Sequence, residues 1–187
     1  MTEDMITSYE GQLINLRPLM AEDVRETIKW RNKPALRDKV LGYRFPVTLP
    51  MEHAWYQRVL AGEKESGVYF GIVDKNTAQF IGFVSLTEID WVSRHSELGI
   101  VIGEERFQGK GLGLEAVRLC LSYAFDCLNL EKVWLKVAEF NQAACAMFLK
   151  AGFSQDGLMR RHVFIKKQYH DVIIMSTLAS EYSSLSK

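Results

Sequence analysis

Residues 108–113 read QGKGLG, three glycines in five positions, between a run of β-branched residues and a long amphipathic stretch. That placement constrains the fold more than any other feature of the chain. A strand, a glycine turn and a helix in that order bring unpaired backbone N–H groups and the positive end of a helix dipole to one point. Glycines there let the backbone take positive φ and approach a ligand closely. The turn is therefore a candidate pyrophosphate cradle; the alternative is a tight connection with no ligand. Two familiar phosphate motifs do not fit. No Ser or Thr follows Lys110 where a GxxxxGK[ST] loop needs one. The spacing Gly109-x-Gly111-x-Gly113 is not the GxGxxG of dinucleotide-binding folds.

The segments around the turn have clear periodicities. Residues 13–19, LINLRPL, alternate as a strand. A helix is predicted over 20–34, with Glu22 and Asp23 in its first turn and Pro34 ending it. Residues 35–50 read as irregular, and 50–62 as a second helix opened by Pro50. Strands are predicted over 67–74 and 79–90, joined by the polar turn KNTA, and over 95–105. After the glycine turn, apolar residues from Val117 to Leu128 recur at helical spacing across 112–130. A strand over 131–140 leads to a helix over 141–152, with Asn141 as N-cap and Gly152 as stop signal. Two strands fill 153–178. The leader, 1–11, reads as loose. The order β-α-α-β-β-β-α-β-α-β-β predicts a mixed α/β sheet, mainly antiparallel.

The chain of 187 residues is 48% hydrophobic, which suits one domain over 1–187 with a core of about 13–178. With 23 basic and 23 acidic residues, the net charge favours neither nucleic acid nor an anionic membrane as partner. The polar N-terminus has no signal-peptide pattern and no apolar run reaches membrane-spanning length, so a cytoplasmic protein is expected. Cys120, Cys127 and Cys145 have no metal-ligand spacing and fall in predicted helices, where buried thiols are expected. No metal is expected.

Three motifs in order carry a resemblance. The turn fits [Q/R]-x-x-G-x-[G/A] through Gln108, Gly111 and Gly113. Residues 141–153 fit N-x-x-[AS]-x-x-hydrophobic-x-x-K-x-G-F through Asn141, Ala144, Met147, Lys150, Gly152 and Phe153. YHDVIIMSTL, 169–178, fits a closing strand. Together they resemble the GNAT N-acetyltransferase superfamily, in the branch of ribosomal-protein N-terminal, spermidine and amino-sugar acetyltransferases. The resemblance implies the α/β GNAT fold, in which the fourth and fifth strands of the sheet, here 95–105 and 131–140, splay apart between flanking helices. It implies acetyl-CoA as acyl donor. Val101, Ile102 and Gly103 would pair with the pantetheine arm. Gln108, Gly109, Lys110, Gly111, Leu112 and Gly113 would form the pyrophosphate turn, although Lys110 reads equally as a solvated lysine. Asn141 would sit near the thioester, as a helix cap or in both roles. Phe148 would border the cofactor. It occupies the place where many relatives carry a proton-donating Tyr, so that mechanism does not transfer.

The implied reaction is direct attack of a primary amine, of a small molecule or a peptide N-terminus, in a ternary complex. A non-catalytic acyl-CoA-binding module is the alternative that Phe148 raises. Glu97, early in the fourth strand, is the candidate general base or amine anchor; alternatively it is a surface carboxylate paired with Arg94. Cys145 is a weak candidate acid, and Ser85 and Ser96 are candidates for orienting water. Arg31, Tyr43, Arg44, Trp55 and Tyr56 are candidate acceptor-wall residues, with Arg31, Tyr43 and Trp55 foremost. The WRNKP stretch at 30–34 resembles amino-sugar enzymes, whereas EID at 88–90 and the segment 92–100 look more like spermidine enzymes. Glu88 and Asp90 would suit a polyamine; Arg31, Arg37 and Arg44 would suit an anionic acceptor. Family members are often dimers, so a homodimer is the expected assembly.

Overall fold

A computed structural model describes residues 8–42, 45–61 and 67–185. Its strands are β1 (Tyr9–Glu10), β2 (Ile14–Pro18), β3 (Val68–Asp74), β4 (Phe80–Asp90), β5 (His95–Ile102), β6 (Lys132–Ala138), β7 (Ser154–Ile165) and β8 (Gln168–Leu178). Its helices are α1 (Val24–Asn32), α2 (Pro34–Arg37), α3 (Leu49–Leu60), α4 (Leu112–Ser122), α5 (Gln142–Lys150) and α6 (Ala179–Leu185). The eight strands form one sheet in the order β1-β2-β3-β4-β5-β6-β8-β7. Every adjacent pair is antiparallel except β5 and β6, which run parallel.

The sequence expectations hold for the long elements and miss three short ones. Part of the leader forms β1, which pairs with β2 through Tyr9 and Leu16. Pro34 ends α1 but also opens α2, as its fixed φ suits a first helical turn. Helix α6 follows β8 without a break. The helix after the glycine turn widens over Tyr123–Cys127 into a π-type turn, which leaves Cys127 exposed. Of the three cysteines, Cys120 alone is buried, and Cys145 is half-buried. None of the described helices is long and apolar enough to cross a membrane.

Apolar residues fill both faces of the sheet. One core packs α4 and α5 against β2, β5 and β6 through Ile14, Leu98, Val117, Leu121, Leu135 and Phe148. The other packs α1 and α3 through Val24, Trp30, Tyr56, Phe83 and Val101. Strand alternation explains the division on β5: Leu98 turns to one core and Val101 to the other. A buried ion pair pins the start of α1 to β2. Arg17 donates to both oxygens of Asp23 at 2.7 and 2.8 Å, and Asp23 also accepts from the Met20 backbone at 2.8 Å.

Candidate active site

The site begins where β5 and β6 part. They pair only from His95 with Lys132 to Glu97 with Trp134. Beyond that point β5 stays with β4 as far as Ile102, while β6 stays with β8 as far as Ala138. The resulting fork leaves one edge of β5 without a strand partner. Sheet edges of this kind take an extended ligand by backbone pairing.

At the mouth of the fork the chain turns through a short 3-10 segment, Glu105–Phe107, into the glycine turn. Gly109 and Gly111 have φ of 73° and 84°, a region closed to most side-chain-bearing residues. Gly111 is the N-cap of α4, and no side chain caps that helix end. The first N–H groups of α4 have no intrahelical partner by construction. Gln108 anchors the turn by donating from Nε2 to the Ile102 carbonyl at 3.2 Å. At Gly113 an added Cβ would come within 3.1 Å of Met147 Sδ, so glycine lets α4 and α5 approach closely there.

A cavity of about 340 Å³ lies along this route. Ile100, Val101 and Ile102 line one wall, Gln108, Gly109, Gly111 and Gly113 its end, and Asn141, Ala144 and Met147 the other wall. Asn141 also caps α5, its side chain accepting from Ala144 N at 3.4 Å. This mostly apolar cavity, bordered by the glycine turn and the uncapped start of α4, offers apolar walls and backbone N–H groups suited to an anion.

A second cavity, of about 280 Å³, opens on the other side of β5. Arg31 comes from α1, Glu52 and Trp55 from α3, Tyr69 from β3, Phe83 from β4 and Glu97 from β5. Trp55 meets Tyr69 edge-on at 5.4 Å, and the Arg31 guanidinium lies 5.7 Å over the Trp55 ring. Arg31 donates to Glu52 Oε2 at 2.8 Å; the Glu52 side chain is fully buried. The two cavities share Val40, Ile100 and Val101, so they meet across the middle of β5.

Glu97 faces the second cavity, with 21% of its side chain exposed, and Lys136 Nζ lies 3.4 Å from its Oε1. Burial raises the proton affinity of this carboxyl; Lys136 opposes the rise and Glu88 adds to it. The net direction is above the usual glutamate value. Arg94 is not its partner, being committed to Glu131 at 2.8 Å.

Several sequence candidates lie elsewhere. Phe148 does not line the cavity between β5 and α5. It is buried in the core, edge-on to Phe153 at 5.7 Å, because its face of α5 packs inward. The Lys110 side chain is exposed and lines neither cavity. Leu112 turns its side chain into the core and offers the turn only its backbone. Gly103 follows β5 directly and lies against the Trp30 indole, which an added Cβ would overlap; its N–H donates to the Ile81 carbonyl at 2.9 Å. Tyr56 is a packing residue whose hydroxyl donates to the Leu19 carbonyl. Ser96 donates to the Thr87 carbonyl at 2.7 Å, whereas Ser85 does line the second cavity. Cys145 Sγ sits 3.9 Å from the Ala138 carbonyl, and burial keeps it a neutral thiol. Asp90 holds the β4–β5 turn, accepting from Val92 and Ser93. Tyr43 and Arg44 lie outside the described residues. Glu52, Tyr69, Phe83 and Lys136 were missed, since no local motif marks residues that meet only through the fold.

A family model for the acetyltransferase (GNAT) domain matches residues 14–154. The chain belongs to the GNAT acetyltransferase family. It is 31% identical over 179 residues to a spermidine N(1)-acetyltransferase of Escherichia coli K12, covering 90% of this chain and 88% of that one. It is 34% identical over 101 residues to a putative ribosomal N-acetyltransferase, YdaF, of Bacillus subtilis, covering 54% and 55%. Among solved structures, spermidine N-acetyltransferase from Vibrio cholerae in complex with CoA and spermine superposes with a TM-score of 0.83 at 28% identity, covering 92% of this chain and 99% of that one. The chain is thus a GNAT N-acetyltransferase that uses acetyl-CoA to acetylate an amine, and the alternative of a non-catalytic module is set aside.

Proposed function

We propose that this enzyme acetylates a small polycationic primary amine of the polyamine type, with the two substrates meeting across β5. The observation that carries this reading is the junction of the cavities at Ile100 and Val101, with Glu97 facing the acceptor side. Acetyl-CoA supplies an acyl thioester, which an uncharged amine attacks directly. Backbone N–H groups of the glycine turn, 109–113, bind its pyrophosphate, and the fork-edge backbone of β5, at Ile100 and the Ile102 N–H, pairs with its arm while Val101 faces β4. Glu97 removes the proton of the attacking amine. N–H groups on the fork edge of β5 stabilise the developing oxyanion. Phe148 has no proton to give and Cys145 is turned to Ala138, so neither protonates the departing sulfur. A thiol with a pKa of about 8.5 is a tolerable anionic leaving group near neutral pH.

The polyamine assignment draws on the relatives, two of which are spermidine acetyltransferases, one solved with spermine. It also draws on the cavity: a carboxylate with aromatic walls of Trp55, Tyr69 and Phe83 suits a cationic alkylamine. One observation favours a second reading. Arg31 stands in the same wall, and a cation there suits an amine that carries an anionic group, such as a phosphorylated amino sugar. Thiol release from acetyl-CoA, measured against polyamines, peptide N-termini, aminoglycosides and amino sugars, tests both. Spermidine is expected to accelerate release most, and Glu97→Gln to lower kcat/KM by about 100-fold. Preference for a phosphorylated amino sugar selects the second reading, and unchanged turnover in Glu97→Gln removes the base. The exposed Leu158, Phe164 and Tyr169 on the β7–β8 hairpin, at the sheet edge, support assembly of a homodimer there.

A further inference from the structure

Lys136 has no part in the reading above, yet it occupies the crotch of the fork. The last paired residues are Glu97 and Trp134. Two residues on, Lys136 lies on the same face of β6 as Trp134. Its ammonium sits 4.8 Å over the Trp134 ring and 3.4 Å from Glu97 Oε1. We infer that Lys136 is a positioning residue for the reaction, an ammonium held at the fork to keep the Glu97 carboxylate charged and aimed into the acceptor cavity. This inference rests on the base role proposed for Glu97.

The surrounding charges leave that task to Lys136. On β4, Glu88 repels the Glu97 carboxylate, and Asp90 is taken up by the turn and lies 3.9 Å from His95. Across the cavity, Arg31 of α1 is paired with Glu52 of α3 at 2.8 Å, so their charges largely cancel at Glu97. Tyr69 of β3 stays neutral, its proton held more tightly by burial. Before β5, Arg94 is bound to Glu131, and on β6 Lys132 reaches Asp156 at 3.4 Å. Among the described residues, Lys136 is the cation in ion-pair reach of Glu97. Burial and Glu88 both favour the protonated acid, which cannot accept a proton from the amine. With Lys136 gone, no described cation in ion-pair reach opposes them.

The test is the ratio of Lys136→Met to wild-type kcat/KM across pH, with spermidine or the most active amine of the panel at saturating acetyl-CoA. Because both proteins see the same acceptor, its own ionisation cancels in the ratio. The variant is expected to lose about tenfold near pH 6, with the loss shrinking as the pH rises. Lys136→Arg is expected to restore most of the loss, and in a Glu97→Gln background Lys136→Met is expected to show no pH-dependent effect. A loss equal at every pH, or one that Arg fails to restore, overturns the inference while leaving the base role standing. Full activity of Glu97→Gln overturns the base role and this inference with it.

Discussion

Replacing Asp23 by Ala leaves the Arg17 guanidinium buried and without its counter-ion. The side chains are 8% and 4% exposed, so water solvates neither charge well. The substitution removes two charge-assisted bonds of 2.7 and 2.8 Å and orphans the Met20 N–H. One bond remains to Arg17, its donation to the Pro18 carbonyl at 2.9 Å, with the Phe80 ring 5.2 Å from the guanidinium. Removing one partner of a buried pair costs about 3–5 kcal/mol, and the orphaned amide adds about 1 kcal/mol. At an unfolding entropy of about 2.1 cal/mol/K per residue, a chain of 187 residues loses about 10 °C of Tm for about 4 kcal/mol. Urea unfolding followed by circular dichroism reads the free energy, and a thermal melt reads the shift. Replacing the pair together, Arg17→Met with Asp23→Leu, is expected to recover most of the loss, because the desolvated charge is then gone. A loss below about 1 kcal/mol for Asp23→Ala would mean that the Arg17–Asp23 pair behaves as a solvated surface pair.

Three further outcomes follow from the site. Gly103→Ala drives a methyl into the Trp30 indole and is expected to cost about 1–3 kcal/mol, read by urea unfolding. Gly111→Val puts a β-branched residue at φ 84° on the N-cap of α4; calorimetry is expected to show acetyl-CoA binding weakened about tenfold. Glu97 has a folded-state pKa raised mainly by burial, so its protonated form favours the fold and its ionised form opposes it. That contribution is fully present below the unfolded-state pKa and is lost as pH rises through the folded-state pKa. Glu97→Gln is therefore expected to melt higher than wild type above neutral pH and to converge with it in acid, while losing activity. A lower Tm at pH 8 would contradict the burial argument.

What the sequence could and could not reveal has a physical basis. The glycine turn was legible because positive φ at Gly109 and Gly111 is a backbone requirement that few residues meet. Asn141 was legible as a cap because capping is local. The alternation of β5 correctly put Glu97 on the face opposite Leu98. Contacts set by the fold were not legible. Arg31 finds Glu52 across 21 residues, between α1 and α3, and Glu97 meets Lys136 because β5 and β6 lie side by side, with Lys136 two residues past the last pair, Glu97 and Trp134. The motif placed Phe148 on the right helix, but its direction depended on the depth of the core beneath α5. Two of the three short additions have the same cause: two-residue β1 pairs with β2, and α2 is a single turn on Pro34.

The most direct test of the central claim is the initial rate of thiol release from acetyl-CoA with spermidine, together with the mass of the product. At least tenfold acceleration over the amine-free rate is expected, with a product heavier by one acetyl group and loss of that acceleration in Glu97→Gln. Spermidine that fails to accelerate release contradicts the acceptor assignment. Wild-type acceleration in Glu97→Gln contradicts the geometry proposed for catalysis.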